Sequence, residues 1–113
     1  MEHDIRPWGE YQVLEDAATH KVKRITVNPG GRLSLQYHHQ RAEVWTIVEG
    51  IGTITINDEI KDYGPGQVAQ IPQGAHHRIE NRTSLPVQFI EVQYGTYFGE
   101  DDIVRIEDDY NRK

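Results

Sequence analysis

"EVWTIVEGIGTITIN", residues 43–57, consists of two short runs of period two around the turn "EGIG". In the second run Ile54 and Ile56 alternate with Thr53 and Thr55. In the first, Trp45 and Ile47 stand two apart, so each run places its bulk on one face of an extended chain. β-branched and aromatic residues dominate both, which suits a pleated, half-buried surface. Working outward, the same period recurs in "RLSLQYH" (32–38) and "KVKRITV" (21–27) toward the N-terminus. Toward the C-terminus it recurs in "QVAQI" (67–71), "HRIEN" (77–81) and "VQFIEVQY" (87–94). "NPGG", "YGPG", "PQG" and "TSLP" separate these runs, and all are turn chemistry. Strands spaced about ten residues apart, with no long helical pattern, predict an all-β, antiparallel sandwich or barrel. Only "GEDDIVRIEDDY" near the C-terminus offers a turn or short helix.

The 113 residues suit a single domain spanning 1–113 around one hydrophobic core. No apolar run approaches the roughly 20 residues of a membrane span, and "MEHDIRPWGEY" lacks the apolar stretch of a signal peptide. The expectation is a cytoplasmic protein that does not engage a membrane. The absence of cysteine excludes disulfides and thiolate-bound zinc or iron–sulfur sites, leaving nitrogen and oxygen as the available metal ligands. A formal charge of -6 argues against nucleic acid as a partner, since a phosphate backbone demands a basic surface. Much of that charge sits in "GEDDIVRIEDDYNRK", which leaves room for a basic pocket elsewhere and for a phosphorylated small molecule.

Donor side chains crowd the stretch "QYHHQRAEVW", residues 36–45. On a strand Gln36 and His38 share a face and can converge inside a barrel; Glu43 opens the next strand, and His77 follows the "PQGAH" turn on a distant one. One amide oxygen, two imidazoles and one carboxylate suit a divalent ion, zinc first, with manganese, iron or nickel as alternatives. Four protein ligands would leave an octahedral ion open positions for substrate or water. Ordinary structural readings stand beside this one. Gln36 can hydrogen-bond a buried backbone group, and Glu43 can pair with Arg41 or Arg78. His39 and His76 should point elsewhere by strand alternation, His3 and His20 should face solvent, and Trp45 reads as barrel core rather than pocket wall.

Gly30, Gln36, His38, Glu43 and Gly50, followed by Gly66, Pro72, Gly74, His77 and Asn81, match the two signature motifs of the cupin superfamily, except that Gln36 stands where the first motif usually carries histidine. That resemblance implies a cupin-type jelly roll. A narrower one rests on "RPWGEYQVL", "KVKRITVNPGGRLSLQYHHQRAEVWTIVEG", "IPQGAHHRIEN" and "IEVQYGTYFGEDDIVRIEDDY". From about Arg6 to Tyr110 the chain resembles the type II mannose-6-phosphate isomerase domain, the C-terminal module of bifunctional mannose-1-phosphate guanylyltransferase/mannose-6-phosphate isomerases. The resemblance implies a metal-dependent aldose–ketose isomerase that converts mannose 6-phosphate to fructose 6-phosphate, linked to GDP-mannose and polysaccharide synthesis. No G-x-G-x-x-G loop occurs, so nucleotidyl transfer is not carried over.

Such a reaction needs a proton shuttle and a grip on phosphate. Val87, Phe89, Glu91 and Gln93 share one face of their strand, which makes Glu91, expected near the barrel mouth, the candidate acid/base. Arg41 and Arg105 are the phosphate candidates, with Lys23, Arg24 and Arg32 behind them. Sheet-to-sheet pairing into a homodimer is expected, with Trp8, Tyr11, Leu33 and Leu35 as contributors. Two other functions fit the same residues: a metal cupin acting on another sugar or small acid, and a non-catalytic carbohydrate-binding cupin.

Overall fold

The alternating runs become strands of two antiparallel sheets in the computed structural model, which describes residues 2–109. Tyr110, the last residue of the C-terminal resemblance, lies outside them. One sheet contains β1 (His3–Arg6), β2 (Gly9–Asp16), β3 (His20–Val27), β5 (Arg41–Glu49), β8 (Val68–Ile71) and β10 (Val87–Gly95), in the order β1-β2-β3-β10-β5-β8. The other contains β4 (Leu35–Tyr37), β6 (Gly52–Ile56), β7 (Glu59–Tyr63), β9 (His77–Glu80) and β11 (Val104–Glu107), in the order β11-β4-β9-β6-β7. The order jumps between strands distant in sequence, as a jelly roll requires and a simple meander does not.

Strand register sorts the interior into layers. Along β10, Phe89 faces Ile47 of β5 and Ile25 of β3, Glu91 faces Trp45 and Lys23, and Gln93 faces Glu43. In the opposite sheet Ile54 of β6 pairs with Ile79 of β9, and His77 pairs with both Gln36 and Ile56. One end of the barrel is therefore apolar and the other polar. At the apolar end Val27, Ile47, Val87, Phe89 and Ile79 are wholly buried, each contributing about 1.5–3 kcal/mol of transfer free energy. That layer holds the sheets together beneath the polar one.

Turn glycines fix where the polar strands begin. Gly50 (φ 78°) joins β5 to β6, and a side chain there would meet the Pro86 carbonyl at 2.4 Å. Gly74 (φ 83°) closes the turn before β9 and donates its N–H to the His38 carbonyl at 3.0 Å, tying the two histidine-bearing segments together.

Three expectations change. "GEDDIVRIEDDY" gives only a 3-10 turn at Glu100–Asp102, after which Val104–Glu107 pairs with β4 as a strand, because the edge of β4 offers unpaired backbone groups. "RLSLQYH" keeps only Leu35–Tyr37 as a strand; Arg32 makes one isolated bridge to Glu80. Trp8, Tyr11 and Leu33 are buried within the chain itself, at 6%, 5% and 9% exposure, so they pack the core and cannot form a face between subunits; Leu35 is half-buried.

Candidate active site

The polar layer opens into a cavity of about 790 Å³, its mouth included, lined from both sheets. Glu43 stands at its centre, with Oε2 3.2 Å from His38 Nε2 and Oε1 3.9 Å from His77 Nε2. All three residues are buried, and one ligand atom from each lies within 4.8 Å of the others. Gln36, opposite His77 in the β4–β9 ladder, lines the same cavity and donates its amide N–H to Ser34 Oγ at 3.0 Å.

The second ring nitrogen of each histidine decides whether this group suits a metal. His77 Nδ1 lies 2.9 Å from the Ala75 carbonyl, and His38 Nδ1 lies 3.1 Å from the Asp102 carbonyl. A carbonyl only accepts, so each Nδ1 carries a hydrogen, and Nε2, the nitrogen nearer Glu43, is the atom left to bind a cation in the neutral ring. This is how ligating histidines are held ready for a cation. Burial pushes the His77 imidazole below its ordinary value despite the carboxylate beside it, favouring the neutral form that binds metal. The donors fit a divalent ion.

Asp102, from the 3-10 turn, supports this end of the barrel. Its carboxylate accepts the backbone N–H groups of His39 (3.1 Å) and Gln40 (2.9 Å) while its carbonyl orients His38. Arg41, also buried, donates Nε–H to Glu43 Oε2 at 2.9 Å, places Nη2 3.3 Å from His38 Nε2, and donates Nη1–H to the Phe98 carbonyl at 3.3 Å. Its guanidinium thus lies against two of the donor atoms as well as in the cavity wall.

Two carboxyl groups share one indole. Trp45 Nε1–H points to Glu43 Oε1 at 2.9 Å and Glu91 Oε1 at 3.1 Å; Trp45 is buried in the core, as expected, but it also lines the cavity, which the core reading left out, and it links the acidic residues. Burial and the adjacent Glu43 charge push the Glu91 carboxyl up to about 8, against the opposing pull of Lys23. Burial alone would raise Glu43 as well. The hydrogen bond with His38, the His77 charge, the Glu91 carboxyl and the Arg41 charge outweigh it and hold Glu43 well below the usual carboxylate value. One carboxyl is thus an acid and its neighbour an anion, because two charges in contact in a buried site cannot both persist. Glu91 sits inside the barrel rather than at its mouth.

Arg105 lines the cavity from β11, in register with Gln36. Lys23 is buried with its ammonium 4.4 Å from the Tyr11 ring centre. Arg24 and Arg32 do not line this cavity: Arg24 bonds Gln12 on the exposed face, and Arg32 pairs with Asp109 at 3.4 Å. His39 and His76 point outward, where they pack on Tyr37. Arg6 and Arg78 also line the cavity, and sequence reading gave neither a role there. Arg78 donates to the Leu33 carbonyl and pairs with Asp109 rather than with Glu43. Arg6 stands in "RPWG", a run that periodicity marks only as strand and turn.

The two sheets form a cupin-type fold. The chain belongs to the family described as mannose-6-phosphate isomerase C-terminal, which it matches over residues 2–108. It is 50% identical over 107 residues to the xanthan biosynthesis protein XanB of Xanthomonas campestris pv. campestris, covering 95% of this chain and 23% of that protein. It is 49% identical to the mannose-1-phosphate guanylyltransferase ManC of Salmonella typhimurium (95% and 22%). The alginate biosynthesis protein AlgA of Pseudomonas aeruginosa is 47% identical (95% and 22%). The chain therefore spans less than a quarter of the length of these relatives. Among solved structures, a cupin sugar phosphate isomerase from Silicibacter pomeroyi superimposes with TM-score 0.72 at 22% identity, covering 87% of this chain and 75% of that one. Bacillus subtilis oxalate decarboxylase, a protein with Mn(II) centres, superimposes with TM-score 0.79 at 20% identity, covering 94% and 30%.

Proposed function

We propose that the chain is a metal-dependent aldose–ketose isomerase interconverting mannose 6-phosphate and fructose 6-phosphate, serving GDP-mannose and polysaccharide synthesis as a cytoplasmic homodimer. The observation that carries the reading is Glu91: a buried carboxyl held as an acid, in contact with a donor set suited to a metal, at the base of an open cavity. Isomerisation removes a proton from the carbon beside a carbonyl and returns one to its neighbour. A group titrating near the pH of the cell does both efficiently. Glu91 carries that proton, and Trp45 keeps its carboxyl turned toward Glu43 and the cavity.

His38, Glu43 and His77 would hold the ion, with Gln36 as fourth donor, and a divalent ion there supplies Lewis-acid polarisation of the substrate's carbonyl. The cavity wall favours an anionic substrate. Arg6, Lys23, Arg41, Arg78 and Arg105 face two glutamates, of which Glu91 is neutral, so the cavity is basic although the chain is acidic. Arg105 is the foremost phosphate partner because it approaches from the edge strand β11; Arg41 completes the grip beside the donors.

The test is coupled turnover of mannose 6-phosphate to fructose 6-phosphate after chelation, with zinc, manganese, iron or nickel added back singly. Turnover restored by at least one metal is expected. Tight metal binding with no turnover under any of them overturns the isomerase assignment in favour of a cupin acting on another sugar or small acid, or of one that only binds carbohydrate.

A further inference from the structure

Gln93 is wholly buried, lies opposite Glu43 in the β10–β5 ladder, and lines the cavity. Its amide nitrogen donates to Glu91 Oε2 at 2.8 Å. Its amide oxygen has no hydrogen-bond partner among the described residues, although it is shielded from solvent. A buried acceptor left unmatched is costly, and native proteins rarely keep one unless a ligand or water completes it. The orientation of the amide follows from its neighbours. Glu91 Oε1 accepts from Trp45 Nε1–H, and its Oε2 lies 2.8 Å from the Gln93 nitrogen. A carboxyl oxygen there is met by an amide N–H. The glutamine therefore gives its nitrogen to Glu91 and keeps its oxygen as the unmatched acceptor of a residue that lines the cavity.

We infer that the Gln93 amide oxygen accepts a hydrogen bond from a hydroxyl of the bound sugar and so selects the hydroxyl pattern of the substrate. The inference rests on the isomerase reading above. The chemistry of the oxygen excludes the other end of the substrate: phosphate oxygens are acceptors and would be repelled, whereas a sugar hydroxyl is a donor. The substrate therefore enters with its hydroxyl chain toward the Glu43–Gln93 layer and its phosphate toward the arginines of the wall. The same amide that receives the hydroxyl also holds Glu91, so the sugar is registered against the acid by one rigid group.

The test measures binding of mannose 6-phosphate and of its 3-deoxy and 4-deoxy analogues by calorimetry, in the wild-type protein and in Gln93→Met and Gln93→Asn. Methionine has similar bulk but no amide, and asparagine withdraws the oxygen by one methylene. Loss of one neutral hydrogen bond is expected to weaken mannose 6-phosphate binding about tenfold in either variant. One deoxy analogue should bind the wild type about tenfold more weakly and lose nothing further in the variants. Equal losses for all three ligands place the effect in the scaffold and overturn the inference. So does wild-type protein that binds both deoxy analogues as tightly as the parent sugar, a result that needs no folded variant. Binding of mannose 6-phosphate that neither variant changes overturns this inference alone; wild-type protein that does not bind it overturns the isomerase reading as well.

Discussion

Replacing Glu91 with glutamine should abolish turnover and, at alkaline pH, stabilise the protein. In the folded chain the Glu91 carboxyl is pushed up to about 8, while in the unfolded chain it titrates near its ordinary value of 4.5. Between these values the folded state holds a proton that the unfolded state has released. The stability this group contributes is complete below the unfolded value and is lost as pH rises through the folded one. From pH 5 to pH 8 the loss is on the order of 3 kcal/mol, a large share of a small domain's total. Glu43 has the opposite sign. Its carboxyl is held low, so its contribution is present above 4.5 and lost as pH falls, outside this window.

Glutamine is neutral like the protonated acid and can donate to Glu43, but with one oxygen replaced by NH2 it accepts from only one of Trp45 and Gln93, which reach different oxygens of Glu91, at a cost of about 1 kcal/mol. Urea unfolding of chelated wild-type protein and Glu91→Gln, followed by circular dichroism at pH 5, 6, 7 and 8, checks this. The two should agree within about 1 kcal/mol at pH 5, and the variant should gain about 3 kcal/mol on the wild type between pH 5 and pH 8. Turnover should fall by about 10²-fold or more throughout. Parallel stability profiles would show that Glu91 ionises normally in the fold, and the acid/base assignment would fall with them.

Arg41→Met removes the guanidinium from Glu43 Oε2 and His38 Nε2, so divalent-metal affinity, measured by competition with a chelating dye, should rise about tenfold; unchanged or weaker affinity contradicts a competing arginine. Trp45→Phe keeps most of the ring but leaves two carboxyl oxygens without their shared donor. It should cost about 1.5–3 kcal/mol in urea unfolding and lower kcat more than it raises KM. Asn81 donates to the Val27 and Leu85 carbonyls and accepts from Thr83, which makes this motif position structural. Asn81→Ala should lower stability by about 2–4 kcal/mol while leaving metal affinity unchanged, and a large change in affinity would place Asn81 in the site instead.

What could be read in the sequence followed from its periodicity. Glu43, Trp45 and Ile47 share a face because the period of a strand is two, and the same rule aligns Phe89, Glu91 and Gln93. It also puts Gln36 and His38 on one face, whereas Glu43 and His77 were singled out by their match to the cupin motifs. Asp102 could not be found this way. It reaches His38, His39 and Gln40 across more than sixty residues from a turn with no repeating pattern, and its type suggested only another surface acid. Nor could the pKa of Glu91, which depends on a neighbour forty-eight positions away. The basic cavity was concealed by averaging: five of the chain's twelve Lys and Arg residues face it, whereas only two of its eighteen Asp and Glu residues do. Composition described the outer surface, and the site has the opposite sign.

The polar layer also explains why acid and anion sit side by side. Lys23, Arg41, Glu43 and Glu91 are all at most 5% exposed, and ionised groups so placed cost several kcal/mol each unless paired. Arg41 compensates Glu43, and the Tyr11 ring and nearby carboxyls compensate Lys23. Lys23 and Arg41 pull the Glu91 carboxyl down, but burial and the Glu43 charge outweigh them, so Glu91 keeps its proton. Its readiness to exchange that proton is a consequence of how the layer minimises buried charge. The β5–β10 ladder, which pairs Glu91 with Trp45 and Gln93 with Glu43, keeps the two carboxyls side by side, and the apolar layer of Ile47 and Phe89 below packs the same two strands against Ile79 of the opposite sheet.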